Sequence, residues 1–148
     1  MIRQASLSDV PNLRNCAERA FARYVPLIGR RPAPMDADFT AQIARGQVHV
    51  SVAAQGAFQG YVVFFPIGGH MHLESVAVLP EAAGKGVGRS LIAFCEECAR
   101  AQGIGAVHVY TNEKMEGNLT LYPRLGYTEA ERREEDGFHR VYFEKHLG

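Results

Sequence analysis

The stretch Val78-Leu79-Pro80-Glu81-Ala82-Ala83-Gly84-Lys85-Gly86-Val87-Gly88-Arg89-Ser90-Leu91 decides how this chain is read. It starts where a run of strand-like alternation is stopped by Pro80 and ends where helical spacing begins. Gly84, Gly86 and Gly88 stand at alternate positions, so successive backbone N–H groups can converge without Cβ clashes. With a helix N-terminus behind them, such amides suit the oxygens of a phosphate. Spacing excludes two nucleotide motifs. The Walker loop needs a glycine five positions before Gly84, where Leu79 stands, and Ser or Thr after Lys85, where Gly86 stands. The dinucleotide fingerprint needs a glycine three positions after Gly86, where the chain has Arg89. Taken alone, the segment also fits a tight strand-to-helix turn that binds nothing.

Upstream of the loop the sequence predicts three strands joined by short turns. Val48, Val50 and Val52 alternate with polar or small residues, Gln55-Gly56 turns into Phe58 to Phe65, and Gly68-Gly69 turns into His70 to Val78. Simple alternation places His70, His72, Glu74, Val76 and Val78 on one face, and a bulge in this strand would change which face the histidines present. Before the meander, Ile2 to Ala5 reads as a first strand. Ser8 reads as an N-cap for a helix carrying Val10, Leu13, Ala17, Ala20 and Phe21. Pro26 to Pro34 reads as a loop and Asp36 to Ala44 as a short helix. Downstream, Leu91, Ile92, Cys95, Cys98, Ala99 and Gln102 share one side of a helix ended by Gly103. Ala106 to Thr111 follows as a strand, and strand, helix, strand at this spacing implies a parallel pair. Asn118 to Leu125 reads as a short helix, and Tyr127 to Arg133 pairs with His139 to His146 around Asp136-Gly137. The expected class is α+β, one domain over residues 1–148. It is built on a mixed, mostly antiparallel sheet of six to seven strands with about four helices.

Composition narrows the function. The chain has 148 residues, 16 basic and 16 acidic side chains, and 47 % apolar residues. Zero net charge argues against a dedicated nucleic-acid binder, which carries a basic excess. The longest apolar run, Tyr61 to Phe65, is far short of a bilayer span, and the N-terminus has no apolar signal core, so a cytoplasmic protein without membrane contact is expected. Three cysteines do not form a secreted disulfide framework. Cys95-Glu96-Glu97-Cys98 lies inside a helix and reads as helix packing rather than a redox pair. His70-Met71-His72 has no further ligand nearby in sequence, and no metal is expected. Glu134-Glu135-Asp136 at the hairpin tip reads as a solvated turn, or as a group that could meet a cationic acceptor.

Two segments resemble one family. Leu73-Glu74-Ser75-Val76-Ala77-Val78-Leu79-Pro80 with the glycine loop is similar to the acetyl-CoA-binding motif of the GNAT superfamily of N-acetyltransferases. Asn118-Leu119-Thr120-Leu121-Tyr122-Pro123-Arg124-Leu125-Gly126-Tyr127 resembles that superfamily's second signature. The order of elements also matches along the whole chain. The resemblance implies that Ala83, Gly84, Lys85, Gly86, Val87 and Gly88 hold the CoA pyrophosphate, with Arg89 and Ser90 at the helix start. It implies that Val76, Ala77 and Val78 lie along the pantetheine arm, the N–H of Val76 polarising the thioester carbonyl. Asn118 falls at the position that contacts this arm, and Tyr122 at that of the general acid. Two departures stand out. Ala83 replaces the family's usual Gln or Arg, and Pro123 follows Tyr122, where it disfavours helical geometry just before itself.

The implied reaction moves an acetyl group from acetyl-CoA to an amine by direct attack in a ternary complex. It needs a base as well as an acid. Glu74 is the first candidate and His72 the second, with bound water as the remaining option. The resemblance also implies a homodimer as a common assembly. A non-catalytic acyl-CoA-binding sensor would share the glycine loop without needing Tyr122 or a base. The acceptor is not named by the sequence, although Pro26 to Asp38 and the hairpin near Asp136 are expected to line its pocket.

Overall fold

A computed structural model describes residues 1–148. Seven strands, β1 (Ile2–Gln4), β2 (Val48–Val52), β3 (Phe58–Ile67), β4 (His70–Val78), β5 (Ala106–Asn112), β6 (Thr128–Glu135) and β7 (Phe138–His146), form one sheet in the order β1-β2-β3-β4-β5-β7-β6. Every pairing is antiparallel except β4 with β5. Four helices flank it: α1 (Val10–Phe21), α2 (Phe39–Ala44), α3 (Val87–Ala101) and α4 (Glu116–Arg124). The α+β class, the mostly antiparallel sheet and the parallel crossover are as the sequence predicts.

The sheet divides two apolar cores. One contains Val62, Phe64, Met71, Leu73 and Val107 of the sheet with Leu91, Ile92 and Cys95 of α3. The other packs Val50, Tyr61 and Val63 against Leu13, Cys16 and Ala17 of α1 and Phe39 of α2. From Tyr61 to Phe65 of β3 the parity runs unbroken, even positions to the first core and odd to the second. On β4 it breaks. Register shifts opposite Val63 and Phe64, which pair with Ser75 and Leu73, so Glu74 is the extra residue of a bulge. Met71 and Leu73 face α3 before the bulge, as do Val76 and Val78 after it. The single-face reading of β4 therefore holds for His70, His72 and Glu74 and fails for Val76 and Val78.

Other local differences have physical reasons. Ser8 is not a helix cap. A 3-10 turn, Leu7–Asp9, precedes α1, capped by Ser6 with Asp9 in a capping box, because Asp9 is drawn in by Arg3 at 2.9 and 3.0 Å. α2 starts at Phe39 rather than Asp36, since the Asp38 carboxylate caps Ala41 N–H. The proline-rich segment is not a plain loop: it holds a helical turn, Val25–Ile28, and a 3-10 turn, Ala33–Asp36. α4 begins two residues before Asn118 and carries Pro123 in its last turn without breaking. Gln102, just past the end of α3, is exposed, and Glu96 within the helix is buried instead. Glu96 accepts from Tyr127 Oη and Lys145 Nζ, both at 2.9 Å, and ties α3 to the C-terminal hairpin.

Candidate active site

β4 and β5 pair only from Met71 to Leu73 against Val107 to Val109. Beyond that they part. β5 goes on alongside β7 to Asn112, while β4 stays with β3 to Val78. The V between them opens into a cleft of about 680 Å³, counted with its mouth. Leu79 N–H donates to Gln59 O at 2.9 Å, so in the alternating antiparallel ladder Ala77 and Ser75 bond to β3. The polar backbone groups of Val76 and Val78 consequently face the V, on the side where no strand pairs with them. Gly60, opposite Val78, must be glycine for this. A Cβ there would stand 2.5 Å from Ala77 O.

Four of the residues singled out from the sequence line this cleft together: Glu74, Val76, Asn118 and Tyr122. α4 carries Asn118 and Tyr122 on one face, as their spacing predicts. Asn118 Nδ2 donates to Thr111 Oγ1 at 3.0 Å, which fixes the amide and leaves its oxygen without a protein partner. The Tyr122 side chain is 2 % exposed, its ring edge-on to Tyr127 at 5.4 Å and tilted against Phe143 at 5.7 Å. Its hydroxyl bonds to no protein group and is not sealed off, so its opening is the cleft. Burial holds the phenol well above the ordinary tyrosine range, so it remains a proton donor. Pro123 leaves this placement intact.

Glu74 reaches the cleft because the bulge turns it there. Behind it, His72 Nε2 lies 2.7 Å from Glu74 Oε2, and His72 does not line the cleft. His70 stands further off, stacked on His108 with ring centroids 3.8 Å apart. Ala77 points into the second core.

The glycine loop lies past the end of β4 and does not line the cleft. It joins the strand through Gly88, where an added Cβ would touch Val78 Cγ2 at 3.4 Å. Gly84 and Gly86 both have φ near +78°, and nothing lies within 4 Å of where their Cβ atoms would be. Ser90 N–H returns to Gly86 O, but the six consecutive N–H groups from Gly84 to Arg89 donate to no backbone acceptor. Ala83, Lys85, Arg89 and Ser90 are exposed. Neither Lys85 nor Arg89 forms an ion pair. Six free amides at a helix N-terminus with two unpaired cations fit an anionic, phosphate-bearing ligand.

Sequence reasoning missed Tyr110, Phe138 and Arg140 on the far wall of the cleft. They stand on strands whose alternation reads only as hairpin and edge. At the hairpin tip Glu135 pairs with Arg133 and Arg140, and the Asp136 backbone carbonyl accepts from Arg30 Nη1 at 2.8 Å. That last bond clasps the proline-rich segment, with Ile28, Pro32 and Pro34 in the cleft wall, to the hairpin tip.

The sequence model of the acetyltransferase (GNAT) family matches residues 13–127, most of the chain. The protein belongs to the GNAT acetyltransferase family. The GNAT fold is found again in PaiA N-acetyltransferase from Thermoplasma acidophilum, solved in complex with coenzyme A. The TM-score is 0.83 at 16 % identity, covering 99 % of this chain and 98 % of that one. The ribosomal-protein-S18-alanine N-acetyltransferase from Escherichia coli superposes at TM-score 0.79 and 17 % identity, covering 99 % and 93 %. Nourseothricin acetyltransferase matches at TM-score 0.62 and 25 % identity over 68 % of this chain and 65 % of that one. No curated protein matches the sequence. No helix is long and apolar enough to cross a membrane, and no group of three or more metal-ligating side chains occurs.

Proposed function

We propose that this GNAT protein transfers the acetyl group of acetyl-CoA to an amine acceptor, directly and within a ternary complex. One observation carries the reading: the splayed V between β4 and β5 gathers Glu74, the Val76 N–H, Asn118 and Tyr122 around one cleft. Acetyl-CoA supplies an activated thioester. Gly84 to Arg89 hold its pyrophosphate through their free amides, with Lys85 and Arg89 supplying positive charge. Ala83 and Ser90 flank this contact, and Ala83 costs one side-chain bond that the amides make up.

The chain's own groups then divide the work. Val76 N–H donates to the thioester carbonyl oxygen, and Val78 extends the same strand edge along the pantetheine arm, with Asn118 opposite. Glu74 accepts the proton that the attacking amine must lose, a role for which it is better placed than His72, which stands behind it at 2.7 Å. His72 fixes the carboxylate's orientation. Tyr122 delivers its proton to the departing thiolate as the C–S bond breaks and the C–N bond forms. No cysteine lies in the cleft to carry an acyl group: Cys16 and Cys95 are buried and Cys98 is half-buried on α3.

The test is to incubate the protein with acetyl-CoA and amines of several classes while following free thiol. Thiol release that depends on both the amine and Tyr122 supports the reading. Cofactor binding with no release on any amine favours the sensor instead.

A further inference from the structure

Two charged side chains line the cleft, and they stand on different walls: Glu74 on β4 and Arg140 on β7, with Tyr110 of β5 between them. The walls are otherwise largely apolar, Phe21, Ile28, Pro32, Pro34 and Phe138 among them. Arg140 is held in place. Its guanidinium lies 4.4 Å over the Tyr110 ring and 5.4 Å over Phe138, its side chain is 12 % exposed, and Nη1 reaches Glu135 Oε1 at 3.3 Å and Asp136 Oδ2 at 3.8 Å. The wall behind it is also fixed, since Arg30 covers Phe138 at 4.2 Å while bonding the hairpin tip.

Nη2 and Nε of Arg140 donate to no protein group, and neither is shut away from open space. A guanidinium fixed by stacking and by Glu135 and Asp136 at Nη1, with its Nε and Nη2 edge free in an apolar cleft, offers a planar fork that matches a further carboxylate. Burial raises the Tyr110 phenol above its ordinary range, and Glu74 adds to the rise while Arg140 opposes it.

We infer that the acceptor is a free amino acid with an apolar side chain, its amine beside Glu74 and its carboxylate on the open edge of Arg140. This rests on the proposed acetyl transfer and names its substrate class. The amine nitrogen bonds to the acetyl carbon, the thioester sulfur leaves as the thiol with the proton from Tyr122, and the amine's proton passes to Glu74. The products are an N-acetyl amino acid and CoA. Arg140 is a binding residue, and its open N–H groups would be left unpaired by an acceptor without a carboxylate.

The experiment compares L-phenylalanine, L-phenylalaninamide and phenethylamine as acceptors, in the wild-type protein and in Arg140→Gln and Arg140→Lys. In parallel, binding of N-acetylphenylalanine and N-acetylphenethylamine to the CoA-loaded protein is measured, which needs no turnover. Phenylalanine is expected to exceed both carboxylate-free acceptors in kcat/KM by roughly ten- to a hundred-fold. That ratio falls towards one in Arg140→Gln and is partly kept in Arg140→Lys. N-acetylphenylalanine binds the wild type more tightly than N-acetylphenethylamine by a similar factor. Equal use of the three acceptors, equal binding of the two products, or a ratio unmoved by Arg140→Gln overturns the inference. Absence of transfer to every acceptor, with N-acetylphenylalanine still preferred, would refute acetyl transfer and uphold the carboxylate site. Melting temperatures of the variants with CoA show that the fold is retained.

Discussion

Tyr122→Phe separates the chemistry from the fold more cleanly than any other change. The ring sits between Tyr127 at 5.4 Å and Phe143 at 5.7 Å, and phenylalanine keeps both contacts. The lost hydroxyl has no protein partner, so no buried donor or acceptor is orphaned by its removal. Stability should therefore change by no more than about 0.5 kcal/mol, and the melting temperature by about 2 °C or less. Turnover should behave otherwise. A positioned general acid contributes about 10²- to 10⁴-fold, which is about 3 to 5 kcal/mol of barrier. The pH profile gives a second reading. Burial raises the Tyr122 phenol above its ordinary value, so it keeps its proton while the wild-type rate climbs as the amine loses its own. The rate falls only beyond about pH 10, when the phenol ionises. In Tyr122→Phe the rate should be lower throughout, and any fall that remains above about pH 10 should coincide with unfolding. The assay is thiol release with an acceptor that the wild type uses, alongside thermal unfolding and acetyl-CoA binding. A kcat within threefold of wild type between pH 7 and 9, in a folded variant that binds acetyl-CoA, would refute the assignment.

Gly60→Ala should push β4 away from β3, because the new Cβ meets the Ala77 carbonyl at 2.5 Å. The expected cost is about 1 to 3 kcal/mol by thermal unfolding, with weaker acetyl-CoA binding in a titration because Val76 and Val78 move. Glu96→Ala leaves Lys145 and the Tyr127 hydroxyl without their partner, and about 3 kcal/mol should be lost, or about 6 to 12 °C in melting temperature. Alkaline pH should unfold the protein. Tyr61, Tyr122 and Tyr127 are all raised by burial, so the native state keeps protons that the unfolded chain releases. Their contribution is complete below about pH 10 and is lost above it, at about 4 kcal/mol per pH unit for the three. The Cys16 thiol, pushed up to about 12, adds to this loss from about pH 8.5. Urea unfolding from pH 8 to 11 measures the slope.

Most of the fold was legible because the periods change cleanly along the chain. Alternation in Val48 to Val52, helical spacing from Leu91 to Ala99 and the glycines between strand and helix each reflect one local rule. The site was legible where backbone geometry determines it: the free amides of Gly84 to Arg89 follow from where glycines stand, and Asn118 and Tyr122 share a helix face by spacing alone. What escaped depended on partners distant in sequence. A bulge in β4 was foreseen but not its place, because pairing with β3 puts the extra residue at Glu74 and no periodicity marks it. Arg140 looks like an ordinary hairpin charge until β5 brings Tyr110 beneath it. Nothing local in the sequence marks Glu96 for burial, since its partners Tyr127 and Lys145 arrive from the other end of the chain. Asp9, not Ser8, organises the first turn because Arg3 of β1 reaches it.

Thermal unfolding with and without acetyl-CoA tests the central claim most directly. Ligand at a hundredfold excess over its dissociation constant stabilises the native state by about 2.7 kcal/mol, so a rise of about 5 to 10 °C is expected. The shift should shrink when bulky residues replace Gly84 and Gly86, whose φ values near +78° favour glycine and whose amides lie in the cradle. An unchanged melting temperature at millimolar acetyl-CoA would contradict the claim and leave the glycine loop as a turn between β4 and α3.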